Sequence, residues 1–252
     1  MMLTKTGRFS LATALLWLVF GADGRAQAGD LALSTPGGLT PGESFRFVFL
    51  TDGTTDATSS SIDYYNTFVT NDAISEAGGG TSVVTYNGVT LTWKAIASTP
   101  YVAAITNIGT YGVPVYLASG TQVTSSDNAS GLWSGSLTNS ISQDLHGNYS
   151  SGLVWTGTTL FGTANAPFEL GGTSPRVSIP GYDTIITDAE WLVFPGGGWD
   201  ASVRLPIYGI SQVLTVTSAV AVPEPSTLWM AASGICAGVA YRWNRRRRQQ
   251  RR

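Results

Sequence analysis

His146 is the only histidine in the 252 residues, and Asp144 stands two positions before it in a Gly/Asn-rich stretch. A Ser-His-Asp site would need that imidazole as its base, with Ser134 or Ser136 as nucleophile. Ser134-Gly135-Ser136 lacks the Gly-x-Ser-x-Gly frame that lifts a nucleophile onto a strand-to-helix turn, so His146 reads as an exposed loop residue. The single cysteine, Cys236, falls inside an apolar run; one histidine and one such cysteine make no conventional zinc set. Carboxylates remain. Asp183, Asp188 and Glu190 cluster before one apolar segment, and Asp52 and Asp56 follow another. An acid pair ~5 Å or ~6.5–9.5 Å apart could hydrolyse glycosides, and oxygen-rich loops could hold a structural Ca²⁺. Neither set has EF-hand spacing, and solvated loop acids explain both. The expectation is no catalytic residue, no metal ligand set and no cofactor beyond a structural Ca²⁺.

The aromatic residues could bind rather than react. Trp93, Trp133, Trp155 and Trp191 sit in strand-like settings and are expected in the core. Trp199 lies in Gly196-Gly197-Gly198-Trp199-Asp200, which reads as a flexible loop. Trp199 and Asp200 are therefore the candidate ligand platform, a sugar ring being the natural occupant of an exposed indole; a tryptophan packed over its own loop is the alternative.

These residues need elements to hold them. Ser44–Leu50 reads as a strand with Phe45, Phe47 and Phe49 on one face. Ser60 with Asp63 resembles a capping box, and Ile62, Tyr65, Phe68 and Val69 recur at helical spacing. Gly78-Gly79-Gly80 ends that segment, which predicts one helix of about fifteen residues. Asn87-Gly88 between residues 81–86 and 89–96 predicts a hairpin, because both turn residues take positive φ. Short strands are expected at 113–117, 122–124, 132–135, 153–158, 189–194, 207–210 and 213–217. One N-terminal helix with many short strands and no βαβ alternation predicts an α+β fold with a mainly antiparallel sheet.

Both ends carry transport chemistry. Lys5 and Arg8 precede an apolar stretch from Leu11 to Phe20, and Ala26-Gln27-Ala28 follows. This is the pattern of a secretory signal peptide over residues 1–28, cut after Ala28. Near the other end Val222-Pro223-Glu224-Pro225 precedes an uncharged run from Thr227 to Tyr241, then Arg242 and Arg245, Arg246, Arg247 and Arg248. As a helix the apolar segment would span roughly 24 Å, a little short of the ~30 Å hydrocarbon core. The arginines would act as a stop that stays in the cytoplasm.

Removing both ends leaves a body at 29–219 with four basic residues against fourteen acids, a net charge of −10. That charge disfavours nucleic acid and anionic lipid as partners. The body has no cysteine, so its core alone must hold it.

The tail, residues 220–252, resembles the PEP-CTERM sorting signal in its Val-Pro-Glu-Pro box, apolar helix and arginine cluster, the resemblance covering about residues 220–248. The resemblance implies recognition by an exosortase and cleavage near the box. The body is similar to the endostatin-like branch of the C-type-lectin-like fold. Pro114-Val115-Tyr116, Leu132-Trp133-Ser134-Gly135 and Val154-Trp155-Thr156-Gly157-Thr158 occur in that family's order, before a terminal strand that pairs back to the first. The Glu-Pro-Asn and Trp-Asn-Asp triplets of sugar-binding C-type lectins are missing, so no sugar site carries over.

Together these features predict a non-enzymatic protein, exported as a membrane-anchored precursor, processed by an exosortase and delivered to the bacterial surface or exopolysaccharide matrix. Glycan or protein binding is the expected role there. The alternatives are a secreted polysaccharide hydrolase using a loop carboxylate pair, and a plain bitopic membrane protein.

Overall fold

The computed structural model describes residues 30–178, 187–193 and 198–218, together with Arg242 and Gln249. The chain divides into two units, Met1–Val216 and Thr217–Arg252. The first unit is mixed α+β with mostly strands. In chain order it holds β1 (Leu31–Leu33), β2 (Ser44–Leu50), α1 (Ile62–Glu76), β3 (Val84–Tyr86), β4 (Val89–Thr90), β5 (Trp93–Ala95), α2 (Ala104–Ile108), β6 (Val115–Leu117), β7 (Gln122–Thr124), β8 (Arg176–Ser178), β9 (Gly198–Asp200), β10 (Tyr208–Ser211) and β11 (Leu214–Thr215).

β2 is the strand on which the main sheet assembles, while β1-β3-β4 and β8-β9 form two smaller sheets. In the main sheet the order is β5-β10-β2-β6-β7, with β11 also pairing to β2. Phenylalanine at every second position gives β2 one fully apolar face, and Val48 and Leu50 supply the other. A strand apolar on both sides must be covered on both sides. Phe45, Phe47 and Phe49 pack with Tyr65, Val69 and Ala73 of α1 and with Trp93. The Phe49 and Trp93 rings meet edge to face at 4.8 Å between centroids. On the opposite face Val48 and Leu50 join Ala104 and Ile108 of α2, Trp133, Trp191 and Tyr208.

α1 spans Ile62–Glu76, the fifteen residues expected. Its N-cap is Ser61 rather than Ser60, and the Ser61 side chain makes no capping hydrogen bond. Instead the Ser59 hydroxyl accepts from the Ser61 N–H (3.2 Å) and the Tyr65 hydroxyl donates to Ser59 O (2.9 Å). The end is as read: the N–H of Gly79 donates to Ile74 O, and Gly78, Gly79 and Gly80 all take positive φ. Asn87 (φ 49°) and Gly88 (φ 76°) form the tight turn between β3 and β4.

Several expectations need correction. A second helix, α2, follows β5. Residues 132–135 and 153–158 are turns and isolated bridges, and Ala189–Trp191 is a single 3₁₀ turn. Strand pairing is antiparallel except for β1 with β3 and β2 with β6, and the isolated bridge of Trp155 to Ile207 is also parallel. Each parallel strand pair is joined through α1, as a parallel connection requires. Among the described residues no helix is long and apolar enough to cross a membrane. The expected transmembrane run, Thr227–Tyr241, lies outside them.

Candidate functional site

The acids and His146 are held by turns. The Asp144 carboxylate accepts from the N–H groups of His146 (2.8 Å) and Asn148 (2.8 Å) and from Asn148 Nδ2 (2.7 Å). It closes its own loop rather than orienting the imidazole. His146 Nε2 lies 2.9 Å from Glu76 O, and the Ser134 hydroxyl donates to Gly131 O at 2.7 Å. No hydrogen bond among the described residues joins His146 to Ser134 or Ser136, so the three are not brought together as a triad. Asp56 Oδ1 accepts from Thr58 Oγ1 (2.5 Å) and Thr58 N (3.1 Å); the hydroxyl bond first holds this carboxyl below its ordinary value, against a smaller upward push from burial. Asp188 Oδ1 accepts from Glu190 N at 3.0 Å and starts the 3₁₀ turn. Asp183 lies outside the described residues. Among those described, no three His, Cys, Asp or Glu side chains are grouped to hold a metal.

Trp199 is 41% exposed, but it is not in a loop. It stands in β9, opposite Val177 of β8. Successive strand residues face opposite sides, so Asp200 does not flank the Trp199 ring. The Asp200 carboxylate instead accepts from Ser202 Oγ (2.7 Å) and Ser202 N (2.9 Å), which hold its pKa down. The platform is reduced to the indole alone.

Two arrangements escaped the sequence reading. The first is an acid pair at positions i and i+4 of α1. Asp72 is buried and accepts from Asp52 N (3.1 Å) and Gly53 N (2.8 Å). Glu76 Oε2 accepts from Leu145 N (2.7 Å), while Oε1 is buried without a donor. Burial pushes Glu76 up to about 8, with the charges of Asp72 and Asp144 adding to it, and burial also raises Asp72. Protonation of Glu76 would satisfy Oε1 by letting it share the proton with Asp72. The pair ties the β2–α1 loop and the Asp144 loop to the end of α1, and like acids four apart on a predicted helix were its only signal. The second is Arg46, a cation inside the apolar strand β2. It meets Asp127 at 3.1 Å, with the two side chains 2% and 0% exposed. Nothing local marks that partner, eighty-one positions away.

The sorting residues Val222, Pro223, Glu224 and Pro225, the arginines Arg245 to Arg248, and Ala26 and Ala28 lie outside the described residues; Arg242 is exposed. Residues 221–248 match the PEP-CTERM protein-sorting motif. The match takes in the Val-Pro-Glu-Pro box, the apolar run and the arginine cluster. It covers the tail only, and comparison with curated proteins finds no match for the chain. The chain thus carries the sorting signal of an exported, exosortase-processed protein made as a membrane-anchored precursor.

Proposed function

We propose that this protein is a non-enzymatic component of the cell surface or exopolysaccharide matrix, whose body is delivered there after exosortase processing. The match of residues 221–248 to the sorting motif carries the reading. In this account residues 1–28 are a signal peptide cut after Ala28, and the run to Tyr241 holds the precursor in the membrane. The positive-inside rule keeps Arg242 and Arg245–Arg248 in the cytoplasm, and the acidic body stays outside.

Support for a binding rather than catalytic body comes from how its polar residues are employed. Asp56, Asp144, Asp188 and Asp200 each accept hydrogen bonds that build their own turns. Exposed aromatic rings at Tyr101, Tyr111, Tyr149, Phe161 and Trp199 offer contact area for a glycan or a protein. A C-type-lectin-like arrangement is supported by β10 returning to pair with β2 and by the burial of Trp133 and Trp155.

Changing Pro223, Glu224 and Pro225 together to alanine tests the sorting step. Export and folding should persist while the uncleaved precursor accumulates in the membrane fraction. Normal appearance of the mature form would show that the box is not the signal.

A further inference from the structure

Two of the four basic residues of the body meet at one cavity. Arg46 and Val48 share a face of β2; Val48 lies opposite Ile210 of β10, and Ile210 lies opposite Lys94 of β5. Both cations therefore emerge on the side of the sheet that α2 covers. There they line a cavity of about 220 Å³ with Thr92, Ile108, Tyr111 and Gln212, and no carboxylate is among its described lining residues. In a body of fourteen acids and four bases this is a local reversal of sign.

The cavity is held in place from behind. Asp127 pairs with Arg46 Nη1 (3.1 Å), and its other oxygen accepts from the N–H groups of Tyr111 (2.9 Å), Gly112 (2.8 Å) and Val113 (3.3 Å). One buried carboxylate thus fixes both the cation and the loop that presents Tyr111. The Tyr111 ring lies 5.5 Å from the Arg46 guanidinium carbon and is 62% exposed. Arg46 Nε donates to Ser211 O (2.7 Å) and Nη1 also to Gly109 O (3.3 Å). Nη2 has no partner among the described residues. Lys94 Nζ donates to Asn107 O (2.6 Å), and an ammonium has two further N–H groups to give. Asp127 cancels the charge of Arg46, which leaves Lys94 as the surplus positive charge. A buried ion pair is weak support for stability compared with apolar residues of the same volume, so the arrangement invites a reason beyond stability.

We propose that this cavity binds the carboxylate of a single uronic-acid residue in a sparsely charged polysaccharide. Lys94, with Arg46 behind it, receives the carboxylate, and the Tyr111 ring stacks on the apolar face of the sugar. The size agrees: 220 Å³ is below the ~300–1,000 Å³ of sites that enclose a small molecule. It admits one residue of a chain whose remainder stays in solvent. The net charge of −10 repels densely charged polyanions, which selects an isolated acid among neutral sugars. The proposal deepens the glycan-binding reading of the body and is independent of how the tail is processed.

The test is calorimetric titration of the full-length chain in detergent with three probes. These are a xylo-oligosaccharide bearing one glucuronate, the same oligosaccharide without it, and a capped acidic peptide. The glucuronylated probe should bind about tenfold or more tightly than the neutral one, and less so as salt rises. Lys94→Met, which keeps the aliphatic stem, and Tyr111→Ala should each weaken it by about tenfold, while the fold is kept and the thermal melt falls by only a few degrees, since each removes one exposed contact. Equal binding of the two oligosaccharides, or indifference to both substitutions, overturns the proposal. Equally tight binding of the acidic peptide through Lys94 and Tyr111 overturns it too, by making the site a peptide site. Any of these results alongside normal processing of the precursor refutes the cavity alone, whereas faulty processing with binding intact refutes the sorting reading alone.

Discussion

Asp127→Asn isolates the charge at the centre of the sheet. Asparagine keeps an oxygen for the three loop N–H groups but leaves Arg46, 2% exposed, as an uncompensated cation. Burial already pushes the Arg46 guanidinium pKa down, and Asp127 is what opposes that push. Removing one partner of such a pair costs about 3–5 kcal/mol, a large part of the ~5–15 kcal/mol that a folded domain has. For a body of this size the lower figure corresponds to a fall in melting temperature of about 6–12 °C. Urea unfolding of the full-length chain followed by tryptophan fluorescence reads it directly. Adding Arg46→Met to Asp127→Asn removes the stranded charge and should return most of the loss. Stability within about 1 kcal/mol of the parent for the single variant contradicts a buried, mutually dependent pair. So does a double variant that is worse by a further similar amount.

Two other tests address the packing of α1. With burial pushing Glu76 up to about 8 against 4.5 in the unfolded chain, its protonated form should contribute stability that is complete below about pH 4.5 and is lost as pH rises towards 8. The raised Asp72 adds in the same direction, urea midpoints should fall from pH 5 to pH 9, and Glu76→Gln, whose amide donates as the proton did, should flatten the fall; a parent that is equally stable at both pH values refutes the shared proton. At Gly209 an added Cβ would overlap Phe49 Cε1 and come within 2.6 Å of Val69 Cγ1. Gly209→Ala should therefore cost about 1–3 kcal/mol in the same assay, and an unchanged midpoint would contradict the contact of α1 with the sheet.

What could be read from the sequence was local. The phenylalanine alternation of β2, the span of α1, the Asn87-Gly88 turn and the burial of Trp93, Trp133, Trp155 and Trp191 all follow from periodicity, turn chemistry or residue size. What could not be read depends on partners far along the chain. Trp199 belongs to a strand only because residues 176–178 pair with it. Five residues are too few for α2 to show a period, and so short a helix forms only where tertiary packing supports it; here Ala104 and Ile108 fill the second core. Leu132 and Trp133 are apolar because they are buried, yet their backbone turns through Leu132 N to Ser126 O and Ser134 N to Gly131 O. Asp72 and Glu76 carry no mark in the sequence that separates them from solvated helix acids; the loops carrying Gly53 and Leu145 close over them. Arg46 stands in an apolar strand with no local partner in the sequence, and it is the floor of a locally cationic cavity.

The most direct test of the central claim is the intact mass of the protein recovered from its own cells with and without the exosortase. With the enzyme, the mature form should begin after Ala28, end near the Pro223–Pro225 box and be found at the surface or in the matrix. Without it, the membrane fraction should hold a species that still carries the arginine cluster. The same mass in the same fraction from both strains would contradict the account.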